Sequence, residues 1–250
     1  MKYFWYVLLG GVLMLSAHAQ AGTTVIFEAG FGSKAEVWQP VVQLLPKDIK
    51  VINYTRPNLL EKDAAPTSIE QDVRHLLSLV KNAALSNNVI LVGHSYGGLL
   101  ATEVAYQASD IIDALVLVDP TTRAHRHRFN QLNADKVKAD DLLLAKYMPA
   151  HLLKHYSNLT KELESSSDVI YPIPPQLKTV LLSSTQVHKS PMVIEETQEG
   201  KKLWLSLHNE LFSQVLDGEH IRMSDVGHNI QSDRPELIAA IIQKLVTELD

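Results

Sequence analysis

Residues 87–108 read NNVILVGHSYGGLLATEVAYQA. The first seven, Asn87 to Gly93, form a short apolar run, the pattern of a strand covered on both faces. From Gly97 onward the apolar spacing becomes helical. Between the two, Ser95 stands in Gly93-His94-Ser95-Tyr96-Gly97. A Gly-x-Ser-x-Gly pentapeptide alone arises by chance in about one chain of this length in ten. At a strand-to-helix junction it means more, because that turn holds the serine hydroxyl exposed above the sheet. Gly93 and Gly97 have no Cβ, so strand and helix can approach closely enough to make the turn.

Strand-like and helix-like segments alternate on both sides of this junction. TTVIFEAG (Thr23 to Gly30) and IKVINYT (Ile49 to Thr55) read as strands rich in β-branched residues. SKAEVWQPVVQLL follows the first, with Ser33 and Glu36 at capping-box spacing and Pro40 expected to kink or stop the helix. In PTSIEQDVRHLLSLVKNAAL, Ser68 and Gln71 form a second capping box, and Ile69, Val73, Leu76, Leu77 and Val80 make an apolar stripe. DALVLVD (Asp113 to Asp119) is a further buried strand. Such alternation implies βαβ units around a mostly parallel, doubly wound α/β sheet, here of about six strands. From 121 to 190 the rhythm lapses into helix-like pieces and a proline-rich YPIPP, which reads as a mostly helical insertion. It returns with PMVIEE as a strand, a helix around KKLWLSLHNELFSQV, a strand HIRMS and a last helix PELIAAIIQKLVTEL.

The chain has 250 residues, a net charge of −5 and no cysteine. That length suits one domain able to bury its own core, and the acidic balance gives no footprint for nucleic acid. Without cysteine neither a disulfide nor a lipoprotein attachment is available. The start is different in kind: Lys2 precedes an apolar stretch, Tyr3 to Ala17, and Ala-His-Ala (17–19) offers a cleavage site, with Ala21 as a second option. Residues 1–19 thus read as a signal peptide for export to the periplasm or medium. The run is short for a bilayer span, so an uncleaved anchor is the rival and no stable span is expected after cleavage. The core is then expected at 20–120 and 191–250.

A serine hydroxyl needs a base beside it to act as a nucleophile. SDVGHNIQSDRPE places His228 in a loop between the last predicted strand and the last helix, where reactive groups converge in such sheets. His18, His125 and His127 lie in the leader or in a charged run and are weaker candidates.

GHSYGG, followed far downstream by GHNIQSDRPE before a terminal helix, resembles the α/β-hydrolase superfamily over essentially the whole chain after the leader. The resemblance implies that Ser95 is the nucleophile and His228 the base of a Ser–His–acid triad, with no metal, no cofactor and a small ester substrate. It also makes 121–190 the family's variable cap. The oxyanion amides would come from Tyr96 and Phe31, although Ala29-Gly30 stands where the family commonly shows His-Gly. For the acid, the region after PMVIEE offers only Glu195, Glu196 and Glu199. Asp119, one strand earlier, has the better-defined strand-end position and is favoured. Peptidase, thioesterase and lactonase chemistry at the same site remain open, as does a binding protein without turnover. Oligomeric state is not legible.

Three further stretches have blander readings. Glu28 is read as a buried structural carboxylate rather than a site group. TTRAHRHRF (121–129) reads as a solvated helix face, since two histidines without acid or thiol partners make a poor metal site. The apolar residues Leu142 to Leu144, Tyr147, Met148, Leu152, Leu153 and Tyr156 either pack the insertion onto the core or line an acyl pocket.

Overall fold

In the computed structural model, residues 22–249 are described except Asn58, Leu60 and Lys62. The expected leader and the cleavage sites expected at its end lie outside the described residues. Six strands, β1 (Gly22–Glu28), β2 (Lys50–Asn53), β3 (Asn87–His94), β4 (Ala114–Val118), β5 (Lys178–Ser184) and β6 (Gly218–Met223), form one sheet. Their order is β2-β1-β3-β4-β5-β6 and every pairing is parallel.

The period-2 alternation of the strands divides the core between two faces. Ile26, Leu91, Leu115 and Leu117 face α2 (Ile69–Ala84) and α3 (Tyr96–Gln107). Val25, Phe27, Ile90, Val92 and Val116 face α1 (Gln39–Val42) and α8 (Pro235–Leu249), with Trp38 beside them. Both helical layers cover the sheet, which is why its central strands carry few polar residues. The capping box of α2 forms as expected: Ser68 Oγ accepts from Gln71 N, and Gln71 Oε1 accepts from Ser68 N. Ile69, Val73, Leu76 and Val80 of the stripe are buried.

Two expected elements differ. Ser33 and Glu36 do not cap a helix: Ala35–Trp38 is a 3-10 turn without side-chain capping, and Pro40 sits in the first turn of a four-residue α1. Proline belongs there, because the first helical amides have no intrahelical acceptor. PMVIEE is not a strand either. It is a loop ending in a 3-10 turn at Ile194–Glu196, and Ile194 packs with Phe129 and Trp204 outside the sheet. The strand is KTVLLSS, where Leu181 and Leu182 are buried on opposite faces between β4 and β6. β5 therefore begins inside the stretch assigned to the insertion. Its helices are α4 (Ala124–Tyr147), with non-helical geometry at Asn133, and α5 (Ala150–Ser165).

The chain enters at β1, steps out to β2 and returns to the other side of β1 at β3. The loops after β1 and β3 thus diverge at the carboxyl edge and leave a crevice there. The loop after β1 carries Phe31, and Ser95 follows β3 directly. α6 (Gln198–Phe212) and the loop leading to α7 (Ile230–Asp233) complete the surroundings.

Candidate active site

Ser95 occupies the turn between β3 and α3 with φ 53° and ψ −121°, a region that side-chain-bearing residues rarely enter. The neighbouring structure holds it there. Ser95 N donates to Val118 O (3.1 Å), and its carbonyl accepts from Gly98 N and Thr121 N (both 2.9 Å). A Cβ on Gly93 would lie 2.5 Å from Gly97 O, and one on Gly97 would lie 2.4 Å from Glu28 O. Only glycine fits at either position, as the sequence reading required.

Asp119 follows β4 and also has positive φ, 45°. It is fully buried, and three donors converge on its carboxylate. His228 Nδ1 lies 2.7 Å from Oδ2, while Ser184 N (2.8 Å) and Trp204 Nε1 (2.9 Å) reach Oδ1. Burial alone would push the carboxyl up. The hydrogen bond and charge of His228, aided by His208 and Lys201, outweigh it and hold Asp119 at about 2. An ionised Asp119 accepts the Nδ1 proton of His228 and leaves Nε2 as the free ring nitrogen. His228 and Ser95 line one cavity of about 470 Å³.

Two further histidines support this arrangement from behind. His94 Nε2 donates to the carbonyl of His228 (3.0 Å), and the two ring centroids are 4.7 Å apart. Burial, then the neighbouring His228, lowers His94 to about 3, so it is neutral. His208 Nε2 donates to Pro120 O (2.8 Å) and Nδ1 accepts from Ser183 Oγ (2.5 Å). Burial lowers it to about 4. The unfolded chain takes up protons at these rings near the ordinary value of 6.5, whereas the folded chain does so only well below it. Their contribution to stability is therefore complete above pH 6.5 and is lost as pH falls toward 4 and 3. In urea titrations near pH 5, His208→Gln is expected to reduce the slope of stability against pH by about 1.3 kcal/mol per unit, the worth of one proton.

Phe31 and Tyr96 both line the cavity with Ser95. Tyr96 is the first residue of α3, where a backbone amide has no intrahelical acceptor. The direction of the Phe31 amide is set by Arg56, a residue the sequence reading did not single out. Arg56 Nη1 donates to Ala29 O, and Nη2 donates to Gly30 O (2.6 Å). In a trans peptide the C=O and N–H point opposite ways, so the Phe31 N–H is turned away from Arg56. The guanidinium also lies over the Tyr96 ring, 5.1 Å from its centroid, while Tyr96 Oη donates to Asp72 (2.8 Å). Glu28 neutralises Arg56 and accepts from Tyr54 Oη, the structural role expected of it. Both members of the pair are buried. Arg56→Met should leave Glu28 uncompensated and lower the unfolding free energy by about 3–5 kcal/mol. Adding Glu28→Gln should recover part of that loss in the same denaturation assay.

Of the rival carboxylates, Glu195 and Glu196 line the same cavity but are bonded to other partners than His228. Glu195 faces the cavity and pairs with His125 Nε2 (3.3 Å). Burial pushes its carboxyl up, and the His125 hydrogen bond and charge bring it below the ordinary value. Glu196 accepts from Met192 N (2.7 Å), and Glu199 is exposed in the first turn of α6. Residues 121–129 are not a solvated face. Arg123 pairs with Glu103, Arg126 with Asp141 and Glu164, and Arg128 with Asp168 and Glu210, while Phe129 is buried. The acids lie far along the chain, so local sequence showed the cations without their partners. Leu144 and Tyr156 of the insertion line the cavity and Leu152 is buried, whereas Leu142, Tyr147 and Leu153 are exposed. No group of three or more metal-ligating side chains converges among the described residues.

A parallel α/β sheet with a strained serine at the β3–α3 turn and a histidine–aspartate pair at the same edge defines a hydrolase-type α/β architecture. Residues 25–241 match the model of the alpha/beta hydrolase family, and the chain belongs to that family. It is similar to the uncharacterized protein YqjL of Bacillus subtilis, 23% identical over 87% of this chain and 81% of that protein. It is also similar to a putative carbamate hydrolase, RutD, of Pantoea ananatis, 22% identical over 88% of this chain and 86% of that protein. Among solved structures, alpha/beta hydrolase domain-containing protein 10 from mouse superposes with a TM-score of 0.63 at 18% identity, covering 91% and 90% of the two chains.

Proposed function

We propose that this hydrolase cleaves carboxylic esters through an acyl-enzyme formed on Ser95. The observation that carries the reading is the buried Asp119 carboxylate bonded to His228 Nδ1, with His228 and Ser95 on one cavity. Ser95 Oγ attacks the ester carbonyl while His228 Nε2 takes its proton, and Asp119 stabilises the resulting imidazolium. The amides of Phe31 and Tyr96 receive the negative charge that develops on the carbonyl oxygen. Collapse breaks the bond to the alcohol, which leaves with the proton from His228. Water, deprotonated by the same nitrogen, then attacks the acyl carbon and releases the acid, restoring Ser95.

The acyl group is proposed to be small or medium, seated in the cavity of about 470 Å³. The test is a p-nitrophenyl ester series from acetate to palmitate, run on wild type and Ser95→Ala. Turnover highest among the shorter esters and absent in the variant is expected; equal slow release by both proteins would remove the enzyme reading. A carbamate arm separates ester preference from the carbamate in the Pantoea relative's name, since both carbonyls would follow the same route. Export rests on the leader alone: mass spectrometry of the secreted protein should find a start at Gln20 or Gly22, whereas an intact Met1 would support an anchor.

A further inference from the structure

The insertion presents an apolar, basic tip whose composition departs from the rest of the chain. Residues 142–161 contain three lysines, two histidines and no carboxylate, in a protein of net charge −5. At the corner where α4 ends and α5 begins, Leu142 is 62% exposed, Leu144 41%, Tyr147 75% and Leu153 37%. Monomeric proteins seldom gather large apolar side chains on one exposed corner without a partner for them.

Lysines predominate among the charges around this corner. Lys138, Leu142 and Lys146 lie four residues apart on one row of α4, and Lys154 follows Leu153 on α5. All three lysines are exposed and none has a carboxylate within 4.0 Å among the described residues. Of the nearest acids in sequence, Asp135 is exposed one turn before Lys138, whereas the two closest to the corner, Asp140 and Asp141, are committed inward. Asp140 accepts from Ile194 N and pairs with Lys136, while Asp141 binds Arg126 and Tyr156. Apolar and aromatic side chains ringed by lysine are the chemistry of a protein that seats on an anionic lipid surface. A second copy of this chain would instead bring like-charged tips together.

We infer that the α4–α5 corner docks on the surface of an anionic bilayer, inserting Leu142 and Tyr147 among the headgroups while Lys138, Lys146 and Lys154 bind lipid phosphates. Leu144 belongs both to the corner and to the lining of the Ser95 cavity, so docking places the cavity wall against lipid.

The absence of cysteine makes a direct test available on the full chain. Tyr147→Cys and Leu85→Cys each accept a single environment-sensitive fluorophore. Leu85 is 84% exposed at the end of α2, on the amino edge where Gly22 begins β1, so attachment through the leading segment would be read there. With phosphatidylcholine vesicles carrying phosphatidylglycerol, the fluorophore at 147 should shift to the blue, brighten severalfold and be quenched by nitroxide-labelled lipid. The one at 85 should not respond. Added salt, pure phosphatidylcholine, or Lys146→Glu with Lys154→Glu should each remove most of the change at 147, with circular dichroism unaltered. No response at 147, an equal response at both positions, or an equal response to neutral vesicles would overturn the inference. So would a response that needs no vesicles and grows with protein concentration, the mark of self-association. None of these readings depends on ester turnover.

Discussion

Ser95→Ala is expected to lower kcat for a p-nitrophenyl ester by about a millionfold, to the level left by binding and the backbone amides alone. The fold should survive. Alanine brings the same Cβ into the positive-φ turn, so the backbone cost at φ 53° is unchanged. The hydrogen bonds that fix the turn, from Ser95 N to Val118 O and from Thr121 N to Ser95 O, involve only main chain. Loss of turnover with an unchanged urea midpoint would assign the chemistry to Oγ rather than to the turn. Comparable rates in the two proteins would move it elsewhere.

Asp119→Asn is expected to lower kcat by about ten-thousandfold with KM little altered. The asparagine oxygen can still accept from Ser184 N and Trp204 Nε1, as Asp119 Oδ1 does. Its amide nitrogen then faces His228 Nδ1, which must become an acceptor, so the ring proton moves to Nε2. In that tautomer His228 cannot take the proton of Ser95. Glu195→Gln, Glu196→Gln and Glu199→Gln should leave kcat near that of wild type, because none of these carboxylates is bonded to His228. A large loss in one of them, with Asp119→Asn active, would reassign the acid. Steady-state rates on folded protein decide between the two results.

The parts of this site that were legible in the sequence are those set by local chemistry. Gly93 and Gly97 are dictated by a close approach, and Ser68 with Gln71 by two adjacent hydrogen bonds. Asp119 was legible because a strand end at the carboxyl edge is a defined position, here between Ser95 and β5. What stayed hidden depends on partners distant in the chain. Arg56 looks like any residue closing an edge strand until Glu28 and the Ala29 and Gly30 carbonyls are seen around it. Trp204 reads as an ordinary core aromatic on an amphipathic helix, yet its indole N–H holds Asp119. PMVIEE reads as a strand although it is a loop, because a short apolar run carries no signal for what it packs against. Ile194 is buried against the insertion, and the sheet takes Leu181 and Leu182 instead. The basic run at 121–129 reads as a solvated face for the same reason, its counter-charges being up to 82 residues away.

Labelling with a fluorophosphonate followed by peptide mass spectrometry reads directly whether Ser95 is the reactive nucleophile of this hydrolase. Wild type should gain one phosphonyl adduct, carried on the peptide that contains Gly93-His94-Ser95-Tyr96-Gly97, and Ser95→Ala should gain none. Folded wild-type protein that stays unlabelled, or an adduct that persists unchanged in Ser95→Ala, would show that Ser95 is not the nucleophile.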